Sequence, residues 1–542
     1  MKEILISVAA SEKDNVTPLV VNALQELKLA GGGVLAFEKG EYHFYKEGSL
    51  KKFYAVSNNT ACDKYIVFPI IDFDGITIDG NGSVFVFHEV VFPFVADNSK
   101  NVVIKNFISD CAYSPMVELR VAYKNDDGFK LEIDKEKSPF YVKDGVLTFK
   151  REWGERSGIE RKFSLHATKR FAVEFLLTGD SKDSVENLPA LYMLTDAYEE
   201  EDGVYFKYRN DSQAKCIYDE GEAITSLLDG GRDVDVIFLN KSENIKIQNI
   251  TIRRGIGMGV IGQLCRDIEV DGFSTDNNFY KEYYTLTADS MHFINCTGNL
   301  EVHNCHISHT ADDAINVHGM YTVFDKAEKN RIYVHIAHQE QEKFNLYCPD
   351  DRLTIIDNNT FDVVAGFRVK HSEFIENDGF MLVLDGEFEY GYENIKSGFL
   401  VEKPYNMPNL HLHHNHFEWY PHMRISGGGN IVIEDNRLEH GLAALLALDL
   451  MKYWYESGRI NNLIFRNNYL NACNAMGGES FIQIGIDGVD NDKAPKIHKR
   501  IEISGNTFEN IKKYAIKAGG VQELIIKDNI IKSDKDDLFL VD

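Results

Sequence analysis

Apolar and polar residues alternate along this chain in short phrases that keep returning. NVVIKNFISD (Asn101 to Asp110), NIKIQNITIR (Asn244 to Arg253), DIEVDGFSTD (Asp267 to Asp276) and NLEVHNCHIS (Asn299 to Ser308) share one form. NLHLHHNHFE, NIVIEDNRLE, NLIFRNNYLN, RIEISGNTFE and ELIIKDNIIK repeat it between Asn409 and Lys532. Each phrase predicts two very short strands of period two joined by a polar corner. Asn tolerates the left-handed backbone of such a corner, and stacked Asn side chains bond along a stack. One such unit closes no core by itself, whereas many stacked as coils do, so the repeats predict a parallel β-helix.

Near the start the period changes. Thr17 reads as a helix N-cap, Pro18 as the first helical residue and Gly31 as the stop, with Val20, Ala23, Leu24 and Leu27 on one apolar stripe. A helix there caps the open edge of the first coil, begun by GGGVLAFEKGEYHF (Gly31 to Phe44). The repeat breaks twice. From residue 112 to 234 hairpin turns are expected at Asp127-Gly128, Asp144-Gly145 and Asp202-Gly203, and from 320 to 403 alternating runs such as RIYVHI and FDVVAGFRV stand without the coil phrase. The expected class is all-β: a right-handed parallel β-helix with an N-terminal capping helix and two inserted antiparallel β modules. Residues 1–111 hold the cap and first coils, 235–319 the middle coils and 404–542 the C-terminal coils. Insertions in solenoids gather on the binding face, so both modules are expected beside a groove.

Composition narrows the partners. The 542 residues carry 84 acidic against 58 basic side chains, a formal charge of −26. Such a surface repels nucleic acid and anionic membranes, and it disfavours an acidic polysaccharide; a neutral ligand suits it better. Eight cysteines lie scattered without a CxxC pair, which argues against a zinc ribbon and gives no disulfide framework; Cys296 and Cys305 are expected as buried thiols. The opening MKEILISVAASEKDN is a poor signal peptide and no stretch is long enough to span a membrane. A cytoplasmic location is expected, or a secreted or periplasmic one if a signal was trimmed from a longer parent.

Candidate chemistry sits in two segments, YYTLTADSMHFINCTG and HISHTADDAINVHG. Both contain Thr-Ala-Asp, and the interval from Asp289 to Asp312 is a reasonable length for one coil. Residues one coil apart stack at about 4.8 Å, so Asp289 is expected beside Asp312 or Asp313. Three carboxylates so close repel, which raises at least one pKa and suits a general acid. Neighbouring residues of a regular strand face opposite ways, so the Asp-Asp pair requires a bulge or corner.

The combination of IRRGIGMGVIG (Ile252 to Gly262), TADSMHF, HTADDAINVHG and RISGGGNIVIEDN (Arg424 to Asn436) resembles the glycoside hydrolase family 110 α-1,3-galactosidases over nearly the whole chain. The Asn-rich coils and Asp-Asp look more broadly like family 28 polygalacturonases. The closer resemblance implies removal of terminal α-1,3-linked galactose, as in blood-group B structures, by inversion and without a metal cofactor. It implies Asp312 as the general acid, with Asp289 and Asp313 holding and deprotonating the attacking water. Inversion needs acid and base about 6.5–9.5 Å apart. No Arg-Ile-Lys element follows the Asp-Asp segment, which counts against a galacturonate substrate.

Arg254, His318 and Arg424 belong to the same motifs and, with Trp419, are candidates for sugar contacts; coil stacking or core packing accounts for each of them as well. The run HLHHNHFEWYPH (His411 to His422) raises a metal site, with His411 and His413 sharing a strand face and His414 pointing away. Solvated or stacked histidines explain it equally, and no metal is expected. GIGMGVIG lacks the strand, helix and acidic residue of a nucleotide fingerprint and is read as a close turn. The partner is thus a terminal α-galactoside glycan, and the long exposed flank with the family analogy favours a homodimer. The rivals are a β-helix hydrolase or lyase acting on a uronate polymer, and a non-catalytic carbohydrate-binding β-helix.

Overall fold

The computed structural model describes residues 2–541 apart from 8–14, 144–145, 152–153, 158–164, 169–193, 209–219, 222, 228–232, 376–378, 387, 389–390, 404–407, 451–452, 475–476, 534 and 536–537. The period-two phrases form strands stacked in parallel register, as in a right-handed parallel β-helix. From Thr297 onward each phrase supplies two strands to one long sheet, as where Asn409–His413 and His416–Glu418 stack on Asn430–Glu434 and Arg437–Glu439. The three earlier phrases instead form single unbroken strands, Lys100–Cys111, Glu243–Ile252 and Arg266–Thr275. A second sheet takes one strand per coil, running through Ile237–Asn240, Val260–Gln263, Met291–Ile294, Ile315–Met320 and Met423–Ile425. Inward side chains of both sheets merge into one apolar core from Ile6 to Leu538.

The corner asparagines act as the pattern requires. Asn106, Asn249 and Asn304 hold left-handed backbone at φ of 59°, 51° and 54°. Inside the stack, the Asn415, Asn436, Asn468 and Asn506 backbone N–H groups each donate to the amide oxygen of the next Asn, ending on Asn529, at 2.9–3.0 Å. These side chains satisfy polar groups that close packing hides from water.

The helix spans Thr17–Leu29 and buries Val20, Ala23, Leu24 and Leu27. Its N-cap is Val16 rather than Thr17. The Thr17 hydroxyl is taken by the Tyr45 backbone, donating to its carbonyl at 2.9 Å and accepting from its N–H at 3.0 Å. Gly31 ends the helix at φ 83°, left-handed backbone that costs glycine little. Lys2–Ile6, read above only as a poor signal sequence, forms a strand that pairs in parallel with Gly33–Phe37.

The first insertion builds a six-stranded antiparallel sheet that includes Met116–Lys124, Gly128–Ile133 and Gly203–Tyr208. The expected Asp144-Gly145 turn lies outside the described residues. The second closes into a six-stranded barrel of Thr322–Glu328, Arg331–His335, Arg352–Ile356, Val363–Phe374, Gly379–Leu384 and Leu400–Glu402. Its core packs directly on Ile294 and Met320, so the barrel covers the outer face of the single-strand sheet. Cys296 and Cys305 are buried free thiols, and among the described residues no helix is long and apolar enough to cross a membrane.

Candidate active site

Strand register fixes where the acidic segments meet. Met291 pairs with Ile315 in the next coil, so Asp289 and Asp313, each two positions earlier, occupy the same rung position of consecutive coils. The Ser290 N–H donates to the Asp313 carbonyl at 2.8 Å, and the Gly259 N–H to the Asp289 carbonyl at 3.0 Å, which carries the ladder through both residues. Asp312 and Asp313 lie in a bend just before Ile315–Met320, so strand alternation does not apply to them. The Thr310 hydroxyl donates to the Asp312 carbonyl at 2.8 Å, and the Asp313 N–H to Asp312 Oδ1 at 3.1 Å. Asp289 and Asp313 are 2% and 4% exposed, and Asp312 is the most open of the three.

Both buried carboxylates face histidines that the sequence reading did not single out. Asp313 Oδ1 lies 2.6 Å from His422 Nε2. Asp289 Oδ2 lies 2.7 Å from His292 Nδ1, and His292 Nε2 lies 2.8 Å from His318 Nε2. The proton positions follow from the far end of this chain. His318 Nδ1 faces the Gly319 carbonyl at 2.6 Å and must donate to it. Burial pushes the His318 pKa down to about 4, so near neutral pH the ring is uncharged and its Nε2 accepts from His292 Nε2–H. His292 Nδ1 then meets Asp289 across one shared proton, either as a carboxylic acid donating to imidazole or as an imidazolium donating to carboxylate.

Behind the histidines lies a buried ion pair. Arg424 Nε sits 2.9 Å from Glu456 Oε2, with both side chains 4% exposed, and Glu456 Oε1 is 3.5 Å from His318 Nε2. Burial pushes the Glu456 carboxyl up, but His318, Arg424 and His292 outweigh it and hold it at about 2. His318 and Arg424, expected as sugar contacts, are both buried and engaged by Glu456, behind His292 and Asp289. Asp235 stands in the same rung row as Asp289, but its oxygens accept from the Met258 N–H and the Asn59 amide at 2.9 Å each.

A cleft of about 720 Å³ opens between the first inserted sheet and the loop leading to Asp289. Arg254, Glu118, Glu282 and Tyr283 line it, and none of the three aspartates does. Tyr284 joins cleft and acids, because it lines the cleft and packs with Met116 on Ala311, the residue before Asp312. Arg254 is fixed there, with Nε 3.0 Å from Glu282 Oε2 and its guanidinium 3.3 Å above the Tyr280 ring. Burial, reinforced by Glu282, raises the Glu118 pKa. Burial also pushes nearby Asp110 up to about 6, against the Tyr280 hydroxyl that donates to it at 2.9 Å. Trp419 does not enter this cleft. It holds a left-handed corner at φ 51° and stacks on His440 with ring centroids 4.2 Å apart.

His292 was legible as the third residue after Asp289 in TADSMHF, a contact local to one coil, whereas His422, the last histidine of its run, reaches Asp313 only through the stacking of coils.

Sequence comparison bears out the resemblance read from the motifs. The chain is 26% identical over 539 residues to a protein of Bacteroides thetaiotaomicron named alpha-1,3-galactosidase B, covering 96% of this chain and 84% of that one. It is 24% identical to alpha-1,3-galactosidase A of Shewanella woodyi, again over 96% and 84%. No protein-family model matches. Among solved structures, a polygalacturonase from Erwinia carotovora ssp. carotovora aligns at TM-score 0.44 and 10% identity, covering 99% of this chain and 96% of its own.

Proposed function

We propose that the chain is an exo-acting, inverting glycoside hydrolase that releases terminal α-1,3-linked galactose from blood-group B type or linear α-1,3-galactosides. The observation that carries this is the stacking of Asp289 and Asp313 in consecutive coils with Asp312 beside them, in a chain related along 96% of its length to proteins named alpha-1,3-galactosidase.

In this reading Asp312, the most open of the three, protonates the departing glycosidic oxygen. Water held by Asp289 and Asp313 attacks the anomeric carbon from the opposite face as that bond breaks, and one of the two carboxylates takes its proton. His292 and His422 fix the orientation of the two carboxylates, so the reacting atoms meet a preorganised site. The cleft beside Tyr284 receives the remainder of the glycan, with Arg254 and Tyr283 offering a donor and an aromatic edge. A homodimer belongs to the same proposal and is read by light scattering.

Incubation with a panel of α-1,3-, α-1,4- and α-1,6-linked galactosides tests the activity. Free galactose from the α-1,3 members, first appearing as the β anomer by proton NMR, is the expected result. An initial α anomer overturns inversion, and absence of galactose from the whole panel overturns the activity.

A further inference from the structure

The strand Asn409–His413 carries a histidine cluster outside the galactosidase reading. Its neighbour in the preceding coil, Thr297–His303, pairs Glu301 with His411 and His303 with His413. His411 and His413 share the solvent face of the long sheet, with ring centroids 4.0 Å apart. Glu301 Oε1 reaches between them, 3.3 Å from His413 Nε2 and 3.9 Å from His411 Nδ1. One donor atom from each residue falls within a 4.8 Å span.

Each ring is also held from behind. His411 Nε2 lies 2.9 Å from Glu434 Oε1, and Glu434 is itself fixed by Arg466 at 2.6 Å. His413 Nδ1 lies 2.8 Å from His414 Nδ1. His414 was expected to point away, but its left-handed corner at φ 55° turns the ring back.

We propose that Glu301 Oε1, His411 Nδ1 and His413 Nε2 form a zinc site on the outer face of the β-helix, completed by water. Zinc bonds of about 2.0–2.1 Å in tetrahedral geometry set donors about 3.3 Å apart, so the three atoms close on an ion with small side-chain rotations. Two imidazoles and a carboxylate suit zinc, whereas magnesium and calcium prefer all-oxygen sets. The Glu434–His411 pair supplies the carboxylate–histidine support that metal ligands commonly carry.

Two neighbouring groups are less well built. In the first, His306 Nε2 and His416 Nε2 already face Glu418 and Glu439, at 3.0 Å each. In the second, Glu269, Asp271 and His303 provide one imidazole, and Glu269 is drawn off by Lys246.

The test is calorimetric titration of zinc into the untagged full chain after dialysis against chelator, with cobalt as a spectroscopic stand-in. One zinc per chain and a visible cobalt d–d band are expected. Affinity should fall at least tenfold in H413Q and in E301Q, and remain unchanged in H335Q, which alters another exposed His–Asp pair. Absence of binding, or equal affinity in E301Q and the parent, overturns the proposal. E301Q removes a half-exposed carboxylate, so it stays informative should H413Q disturb the stacked histidines. The readout is independent of galactose release.

Discussion

His292 Nδ1 stands 2.7 Å from Asp289 Oδ2, and the neutral His318 behind it leaves one proton for the two to share. The charge of Asp289 is thus set by its partner as much as by its surroundings. Replacing His292 with Gln removes the shared proton while leaving an amide near the carboxylate. Turnover should fall roughly 10²-fold with KM little changed, the range typical of lost acid–base assistance. The acidic limb of the kcat/KM profile should also move, which a purely structural role would not cause. An unaltered pH profile would show that His292 does not hold the proton.

Asp312→Asn removes the proton donor without changing the size of the side chain. Galactose release should drop by several orders of magnitude, with a melting temperature close to the parent, since Asp312 is the least enclosed of the three acids. A substrate with a good leaving group, such as a nitrophenyl galactoside, should recover part of the loss. Near-normal activity on natural linkages would end the acid assignment.

Asp110 gives a pH signature in stability. Burial raises its folded-state pKa from 3.8 to about 6. A raised acid favours the fold fully below the unfolded pKa and loses that advantage as pH climbs through the folded value. The parent should therefore lose roughly 3 kcal/mol relative to Asp110→Asn between about pH 4 and pH 6, and little beyond. Melting curves at half-unit steps read this directly, and parallel curves for the two proteins would contradict the burial argument.

The inner asparagine ladder predicts a localised weakness. Asn468 accepts from Asn436 and donates to the Ile433 carbonyl and to Asn506 Oδ1, each at 3.0 Å. Asn468→Ala leaves several of these groups without partners in a dry interior. Each unsatisfied group costs about 1–3 kcal/mol, so a loss of roughly 3 kcal/mol or more in denaturant unfolding is expected. An Asn-to-Ala change at exposed Asn510, whose amide reaches Asn471, should cost far less.

What the primary structure made legible was what repeats. Alternation of period two with Asn corners disclosed the coils, and the stripe from Val20 to Leu27 disclosed the capping helix. The duplicated Thr-Ala-Asp pointed to the stacked acids because the coil between them happens to be of ordinary length. The contact of His422 with Asp313 was hidden because the second insertion separates them and successive coils differ in length, whereas His292 lies three residues from its acid. Ile237 meets Val260, Val260 meets Met291 and Met291 meets Ile315, and the middle step is clearly the longest of the three. His318 and Arg424 were singled out by the motifs they belong to, and their shared partner Glu456 is distant from both motifs along the chain. Thr17 looked like a cap because local preference carries no information about Tyr45, whose backbone claims the hydroxyl.

Asn299 and Asn409 are neighbouring rungs although the whole second insertion separates them along the chain. The solenoid leaves at one point, completes an entire barrel, and re-enters without losing count. Lineages of such proteins are thus free to exchange the barrel as a cassette while the coils on either side keep their alignment.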